Sequence, residues 1–227
     1  MSIGIPTIVA NPAVYTGMIQ PTSAAIIAGN LVVVAVCVAG NNRTATAVSD
    51  GTNTYTEGPH LIAGGSAQPD VSLWYKLNAL AVASGANITL TISGGAPIVN
   101  ICAAQVSGVT AFDSTGVGAS NPTAGNSQSP SVTAGTLSLA NEILFGVSGS
   151  SQYQATYTEA SNFTNLCAPS FTGQAGSVSL GYKIVSSNSP ITFAPSLSAS
   201  GNWVALIAPF EGVASSQTNL FGGLIGV

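Results

Sequence analysis

The chain has 227 residues, of which 46% are hydrophobic and only 4% are charged, and its formal net charge is −4. Ordinary soluble domains are about 25% charged, so an uncharged exterior is predicted, with little charge repulsion to keep copies apart. Its three basic residues, Arg43, Lys76 and Lys183, cannot form the basic patch that nucleic acid requires. The composition excludes nucleic acid as a partner and favours a protein that ends in an assembly.

Residues 1–27 are predicted to form an extended N-terminal arm. Pro6 and Pro12 interrupt its apolar stretches, and no Lys or Arg precedes them, which is not typical of a secretory signal. Chain termini fray unless something holds them. We therefore expect the arm to contact neighbouring subunits through Ile5, Val9 and Tyr15.

A first β-rich unit follows, at residues 28–109. Its apolar run LVVVAVCVA, at 31–39, is nine residues long, whereas a membrane helix needs about 20, so it is predicted to be a buried strand and no membrane contact is expected. In SDGTN, at 49–53, Asp50 is interpreted as a turn former. Calcium binding by Asp50 and Asn53 is the weaker alternative, because the dense ladder of oxygen ligands of known calcium loops is missing.

Candidate catalytic residues are few. His60, the one histidine of the chain, lies in EGPHLIAGG and is interpreted as a solvated loop residue rather than a base, because no nucleophile motif such as G-x-S-x-G accompanies it. One His and three scattered Cys supply no zinc ligand set. Seven carboxylates show no pairing in sequence, so we predict no enzyme, cofactor or metal; they are Asp50, Glu57, Asp70, Asp113, Glu142, Glu159 and Glu211.

A repeated hexapeptide indicates internal duplication. VSLWYK begins at Val71 and VSLGYK at Val178, and flanking segments match in the same order, with offsets of 111 (Asn30 to Asn141), 107 and 104. Ordered matches of this kind are typical of a repeat. We predict two units, 28–109 (unit 1) and 139–213 (unit 2), joined by a Gly/Ser/Asn/Pro-rich linker. The C-terminal tail, 214–227, is predicted to reach neighbouring subunits through Leu220, Phe221, Leu224 and Ile225.

Alternation within the hexapeptide assigns its faces. Val71, Leu73 and Tyr75 fall on one face, and Ser72, Trp74 and Lys76 on the other. In the second copy Gly181 replaces Trp74. Because sugars stack on exposed aromatic rings, Trp74, Tyr153 and Tyr157 are candidate glycan-binding residues; the alternative is that they pack a second sheet or a subunit contact.

The three cysteines, Cys37, Cys102 and Cys167, are an odd number without metal-type spacing. Cys37 and Cys102 lie in apolar runs, where a free thiol behaves as a small hydrophobe. We expect all three to be buried and reduced, which agrees with synthesis in a cytoplasm.

The predicted fold is all-β: an antiparallel, jelly-roll-like β-sandwich built from two sequence-related halves with extended arms, because β-branched runs are punctuated by Gly, Asn, Ser and Pro. Two architectures are compatible with the duplication. The halves interleave their strands into one sandwich, or each half closes its own small sandwich. We favour the interleaved arrangement, because four or five strands are few for an independent sandwich.

Several segments together resemble a known group of proteins. VSDGTNTYT, SLWYK, GANITLTISGG, AAQVSGVTAFDSTGVGASN and GNWVALIAPFEG are similar to Gly/Ser/Thr-rich β-sandwich (jelly-roll-like) proteins of tailed-phage virions and bacterial surfaces. The resemblance extends from about Ala28 to Val213 and carries over no catalytic or ligand residues. The phage branch fits better, since a secreted adhesin is expected to show an export signal or anchor.

The resemblance implies a non-enzymatic structural protein of a phage virion, a head decoration or cement protein, made in the host cytoplasm and located in the virion. Its expected partners are other virion subunits, including copies of itself. The alternative is a glycan-binding, lectin-like module of a virion fibre or cell surface, which would bind host glycans.

Overall fold

A computed structural model describes residues 2–10, 18–40, 43–63, 69–94, 98–120, 127–151, 156–158, 160, 162–167 and 176–213. These ranges contain strands and no helix, and the strands pair antiparallel, so the predicted all-β antiparallel sandwich is confirmed. The strands are β1 (Thr7–Ala10), β2 (Ile19–Pro21), β3 (Leu31–Ala39), β4 (Thr44–Ser49), β5 (Thr56–Ile62), β6 (Pro69–Lys76), β7 (Asn87–Ser93), β8 (Ile98–Val106), β9 (Val109–Phe112), β10 (Gly118–Ser120), β11 (Val132–Thr133), β12 (Glu142–Ser150), β13 (Tyr157–Thr158), β14 (Thr164–Cys167), β15 (Ser177–Val185), β16 (Thr192–Phe193), β17 (Ser196–Leu197) and β18 (Trp203–Gly212).

Two large sheets form the centre of the molecule. Sheet 1 has the strand order β1-β8-β3-β6-β5, and sheet 2 has the order β10-β18-β12-β15-β14, with β9 also paired to β18. Outside them lie a three-stranded sheet, β2-β7-β4, and two short ladders, β11-β16 and β13-β17. The chain therefore builds each large sheet around a central strand, β3 or β12, with matching neighbours on both sides.

The apolar residues pack in layers between these sheets. Inward-facing residues of sheets 1 and 2, such as Val33, Leu73, Phe145 and Leu206, form a central cluster. The outer face of sheet 1 packs on β2-β7-β4, and the outer face of sheet 2 packs on the two short ladders. Both faces of β3 are thus covered, which explains why its sequence is continuously apolar rather than alternating.

The favoured interleaving of the two halves is wrong. In sheet 1, β3, β5, β6 and β8 all come from unit 1, and in sheet 2, β12, β14, β15 and β18 all come from unit 2. Each unit forms a small two-layer body together with strands from outside it, β1 and β2 of the arm for unit 1 and β10 and β11 of the linker for unit 2. This is close to the alternative arrangement. The two bodies then bury their large sheets against each other, which offsets the low strand number that had argued against separate sandwiches.

The ladders define the true register between the units. Val33 pairs with Tyr75 and Ala104, and Phe145 pairs with Tyr182 and Ala208. Val33 therefore corresponds to Phe145, an offset of 112, so the predicted match of Asn30 with Asn141, an offset of 111, is one residue out. A one-residue slip moves every side chain to the opposite face. The offsets of 107 and 104 agree with the pairing, and the predicted faces of VSLWYK are confirmed.

The N-terminal arm is largely part of the chain's own fold, contrary to expectation. β1 pairs with β8 at the edge of sheet 1, and β2 pairs with β7. Ile3 joins the central cluster, and Val9 is fully buried. An isolated short apolar segment gains more by completing a nearby sheet edge than by remaining extended in water.

A disulfide joins the two large sheets. Cys102 in β8 is bonded to Cys167 in β14, so the expectation of three reduced thiols is wrong for this pair. Cys37 is free and buried. Spacing alone could not reveal the bond, because the two cysteines are 65 residues apart and meet only when the units pack together.

Removing the disulfide should destabilise the whole molecule. Closing a loop of 65 residues is worth about 4 kcal/mol in the chain-entropy model, so the double variant Cys102→Ala/Cys167→Ala is expected to lose about 2–4 kcal/mol of unfolding free energy. Denaturant unfolding measures the loss. Wild-type protein in reducing buffer should show a similar loss, and equal stability of oxidised and reduced protein would contradict the bond.

The two units approach closely at Gly149. A Cβ at this position would overlap the side chain of Val71 and contact Cys37, both in unit 1. Gly149→Ala is therefore expected to lower the unfolding free energy by about 1–3 kcal/mol, as overpacking of a core does. Gly181→Ala is the matched control, because a Cβ there meets its neighbours at 3.4 Å or more. Equal effects of the two substitutions in thermal unfolding would contradict this contact.

Candidate functional site

His60 lies in edge strand β5 and is held between two carboxylates. Its Nε2 lies 3.1 Å from Asp70 Oδ2, and its Nδ1 lies 3.1 Å from Glu57 Oε1. The prediction of a solvated loop residue is wrong: Pro59 and Gly58 imitate a loop in sequence, but proline is tolerated in an edge strand and the ladder shifts register between Glu57 and His60. The hydrogen bond to Asp70, together with both negative charges, raises the pKa of His60 although burial opposes this.

This arrangement favours the imidazolium, because both ring nitrogens can then donate to carboxylates. Such a histidine has no free nitrogen to accept a proton. The nearby thiol of Cys37 is unsuited as a nucleophile, because burial and then the charge of Asp70 raise its pKa to about 12. We interpret His60, Asp70 and Glu57 as an ionic link between β5 and β6.

The Asp50 carboxylate is confirmed as the organiser of a turn. Oδ1 accepts hydrogen bonds from the amides of Thr52 and Asn53 at 2.9 and 2.6 Å, and Oδ2 accepts from Asn53 Nδ2 and the Tyr55 hydroxyl, both at 2.9 Å. Gly51 adopts a φ of 85°, which favours glycine. Four donors occupy the oxygens that the calcium alternative would need.

Three carboxylates that sequence could not pair meet at one end of sheet 2. Glu142 and Glu211 are cross-strand partners, and the Ser138 hydroxyl lies 3.1 and 2.9 Å from their respective Oε1 atoms. Asp113 Oδ2 accepts from the Ser138 amide at 2.8 Å. Burial raises the pKa of Glu142. Among the described residues, no group of three or more His, Cys, Asp or Glu is arranged to hold a metal ion.

Of the candidate glycan-binding residues, the two that the structure describes, Trp74 and Tyr157, do not present fully exposed rings. Trp74 is 4% exposed and packs between sheet 1 and the sheet β2-β7-β4, so it cannot stack on a sugar and that assignment is wrong. Tyr157 is half-buried, with its hydroxyl 3.4 Å from the Ser177 carbonyl oxygen. Tyr153 lies outside the described residues.

The candidate assembly residues differ in their exposure to solvent. Ile5 is 77% exposed and remains available to a partner. Val9 is buried in the chain's own core, so in this fold it is not a contact to another subunit. Tyr15, Leu220, Phe221, Leu224 and Ile225 lie outside the described residues.

A cleft in unit 2 lies at the position that Trp74 occupies in unit 1. Gly181 lies on its wall, and the cleft contains about 260 Å³ of space between atoms, part of it open to solvent. It is narrow, with room for little more than a water molecule in this conformation. The sequence comparison shows that Gly181 replaces Trp74 but does not reveal the cleft that results. The residues that line the cleft are Tyr157, Thr158, Ala160, Phe163, Asn165, Ser179, Leu180, Gly181, Phe193 and Pro195.

Comparison with known proteins adds no relative. No protein-family model, no curated protein and no solved structure matches the chain significantly. Across the described ranges, no helix is long and apolar enough to span a membrane.

The ionic link at His60 predicts a pH-dependent stability. A raised folded pKa means that the stabilisation is complete below the unfolded pKa of about 6.5 and is lost as pH rises through the folded pKa. The unfolding free energy of wild type should exceed that of His60→Gln at pH 5.5. This difference should be about 1 kcal/mol smaller at pH 9. Denaturant unfolding at both pH values measures this, and a pH-independent difference would contradict it.

Proposed function

We propose that the protein is a non-enzymatic structural subunit of a phage virion, a decoration or cement protein of the head, that assembles with copies of itself or with other virion subunits. The carrying observation is its nearly uncharged exterior. Among the charged residues in the described ranges, Glu57 alone is well exposed; Asp50, Asp70, Asp113 and Glu142 are buried. The remaining four are partly buried: Arg43, Lys76, Lys183 and Glu211.

Such a surface has little electrostatic barrier to association. Net charge and scattered surface charges keep proteins apart in solution, and here most carboxylates serve internal turns and ladders. Contacts between such surfaces should depend weakly on salt, because there is little charge to screen.

Apolar side chains occupy part of this exterior. Ile5, Ile27 and Leu80 are 77%, 60% and 58% exposed. Single exposed apolar residues are ordinary, but on a surface with so little charge they supply the kind of contact that protein interfaces bury. The layered body, cross-linked by Cys102–Cys167, would present them with little loss of conformational freedom.

The described geometry supports this proposal better than the glycan-binding alternative. Of the aromatic residues named for that alternative, Trp74 is buried and Tyr157 is half-buried, while Tyr153 lies outside the described residues. The described carboxylates and His60 are engaged in internal hydrogen bonds, which is compatible with a structural role.

The test is the mass of the full chain by light scattering, at low and high salt. We expect a discrete multimer in both. Because burying one large aliphatic side chain is worth about 1.5–3 kcal/mol, the triple variant Ile5→Asn/Ile27→Asn/Leu80→Asn should weaken association at least about tenfold. Deleting residues 1–25 is unsuitable, because it removes β1 and β2 from the subunit's own fold.

The matched control is Ser84→Asn, a polar substitution at an exposed position, which should leave the mass unchanged. A monomer at every concentration and salt would contradict self-assembly. A multimer that dissociates at high salt would contradict the uncharged contact on which the proposal rests.

A further inference from the structure

The two units use the same strand position in different ways. In unit 1, Trp74 of β6 projects from the outer face of sheet 1 into the apolar layer beneath β2-β7-β4. Its indole Nε1 donates a hydrogen bond of 2.9 Å to the hydroxyl oxygen of Ser72, two residues earlier on the same strand. Ser72 is itself buried. The indole therefore fills the layer and also supplies the donor that a buried hydroxyl requires.

In unit 2 the corresponding strand keeps the hydroxyl and loses the indole. The hexapeptides VSLWYK and VSLGYK match Ser72 with Ser179 and Trp74 with Gly181, and the ladders confirm this register. Ser179 is 5% exposed, and its Oγ has no hydrogen-bond partner within the described part of the chain. A buried hydroxyl without a partner costs about 1–3 kcal/mol. Ser179 is one of the residues that line the cleft, so a ligand atom bonded to its hydroxyl there would offset that cost.

The neighbouring strand β12 also has a smaller residue than its counterpart in unit 1. Val34 is the cross-strand partner of Trp74, and at the equivalent place Gly146 is the partner of Gly181. The Phe193 ring lies directly against Gly146, where a Cβ would overlap it. Phe193 thus fills part of the volume that Val34 and Trp74 occupy in unit 1, and the cleft is the part that remains.

The lining of the cleft suits an aromatic ring. Phe163 and Phe193 meet edge to face, with ring centroids 5.0 Å apart, and Tyr157, Ala160 and Pro195 extend the apolar wall. Aromatic rings pack favourably in this geometry. Entry of a ring requires Phe193 to move outward, and its strand, β16, is held to β11 by a ladder of only two residue pairs.

We propose that this cleft binds a small planar aromatic molecule that carries a ring N–H, of the indole class, with the N–H donating to Ser179 Oγ. The ligand would supply to unit 2 what the Trp74 side chain supplies to unit 1. This proposal is independent of self-assembly, since Ser179 and Gly181 are buried inside unit 2.

The test is calorimetric titration of the full, oxidised chain with indole and with benzofuran, which has the same ring shape but no N–H. Wild type should bind one indole with a dissociation constant of about 1 mM or tighter. Because one hydrogen bond is worth about 0.5–1.5 kcal/mol, Ser179→Ala should weaken indole binding about threefold to tenfold and leave benzofuran unchanged. The matched control, Ser72→Ala in unit 1, should not alter the affinity for indole.

Gly181→Trp should abolish binding, because the chain then provides its own indole. If that variant does not fold, the affinities of wild type and Ser179→Ala for indole and for benzofuran still test the proposal. No binding of indole to wild type would overturn the proposal and leave Ser179 to an ordered water molecule. Equal weakening of indole and benzofuran by Ser179→Ala, or unchanged binding to a folded Gly181→Trp, would overturn it as well.

Discussion

The packing of sheet 1 against sheet 2 is the contact on which the rest of the structure depends. Each unit covers only the outer face of its large sheet, with β2-β7-β4 or with the two short ladders. The inner faces are apolar and lie in one shared cluster. Burying apolar surface is the main favourable term in folding, so neither unit could expose its inner face without a large cost. Gly149, which has no Cβ, lets the two faces approach closely. The Cys102–Cys167 disulfide links them covalently.

This shared cluster leaves the outer faces free to diverge. The inward triplets Val33, Tyr75 and Ala104 in unit 1 and Phe145, Tyr182 and Ala208 in unit 2 occupy equivalent register positions. On the outer faces, the pair Val34–Trp74 is replaced by Gly146–Gly181. Alternation along a strand allows this, because substitutions on one face do not disturb the other. A duplicated scaffold can therefore have a filled outer layer in one copy and a cleft at the same position in the other.

The sequence predicts those features that depend on local pattern. The strand-rich composition, the buried β3, the faces of VSLWYK and the turn at Asp50 all follow from periodicity or turn chemistry. The predicted match of Asn30 with Asn141 is one residue out, because the apolar runs that follow them align nearly as well in either register. The pairing of β1 with β8, the Cys102–Cys167 bond and the meeting of Glu142 with Glu211 are contacts between distant segments, which no local pattern records. His60 was misplaced because Pro59 is typical of loops.

The central claim is that the two units are one cooperative body, and the tryptophans allow a direct measurement. Trp74 reports from the outer layer of unit 1 and Trp203 from that of unit 2. Unfolding of the single-tryptophan variants Trp74→Phe and Trp203→Phe in denaturant should be followed by fluorescence and by far-ultraviolet circular dichroism in each sample. Within each variant the two signals should change together, as for a two-state body. A fluorescence transition that separates from the loss of strand signal would show that one unit unfolds while the other persists, and would contradict the account.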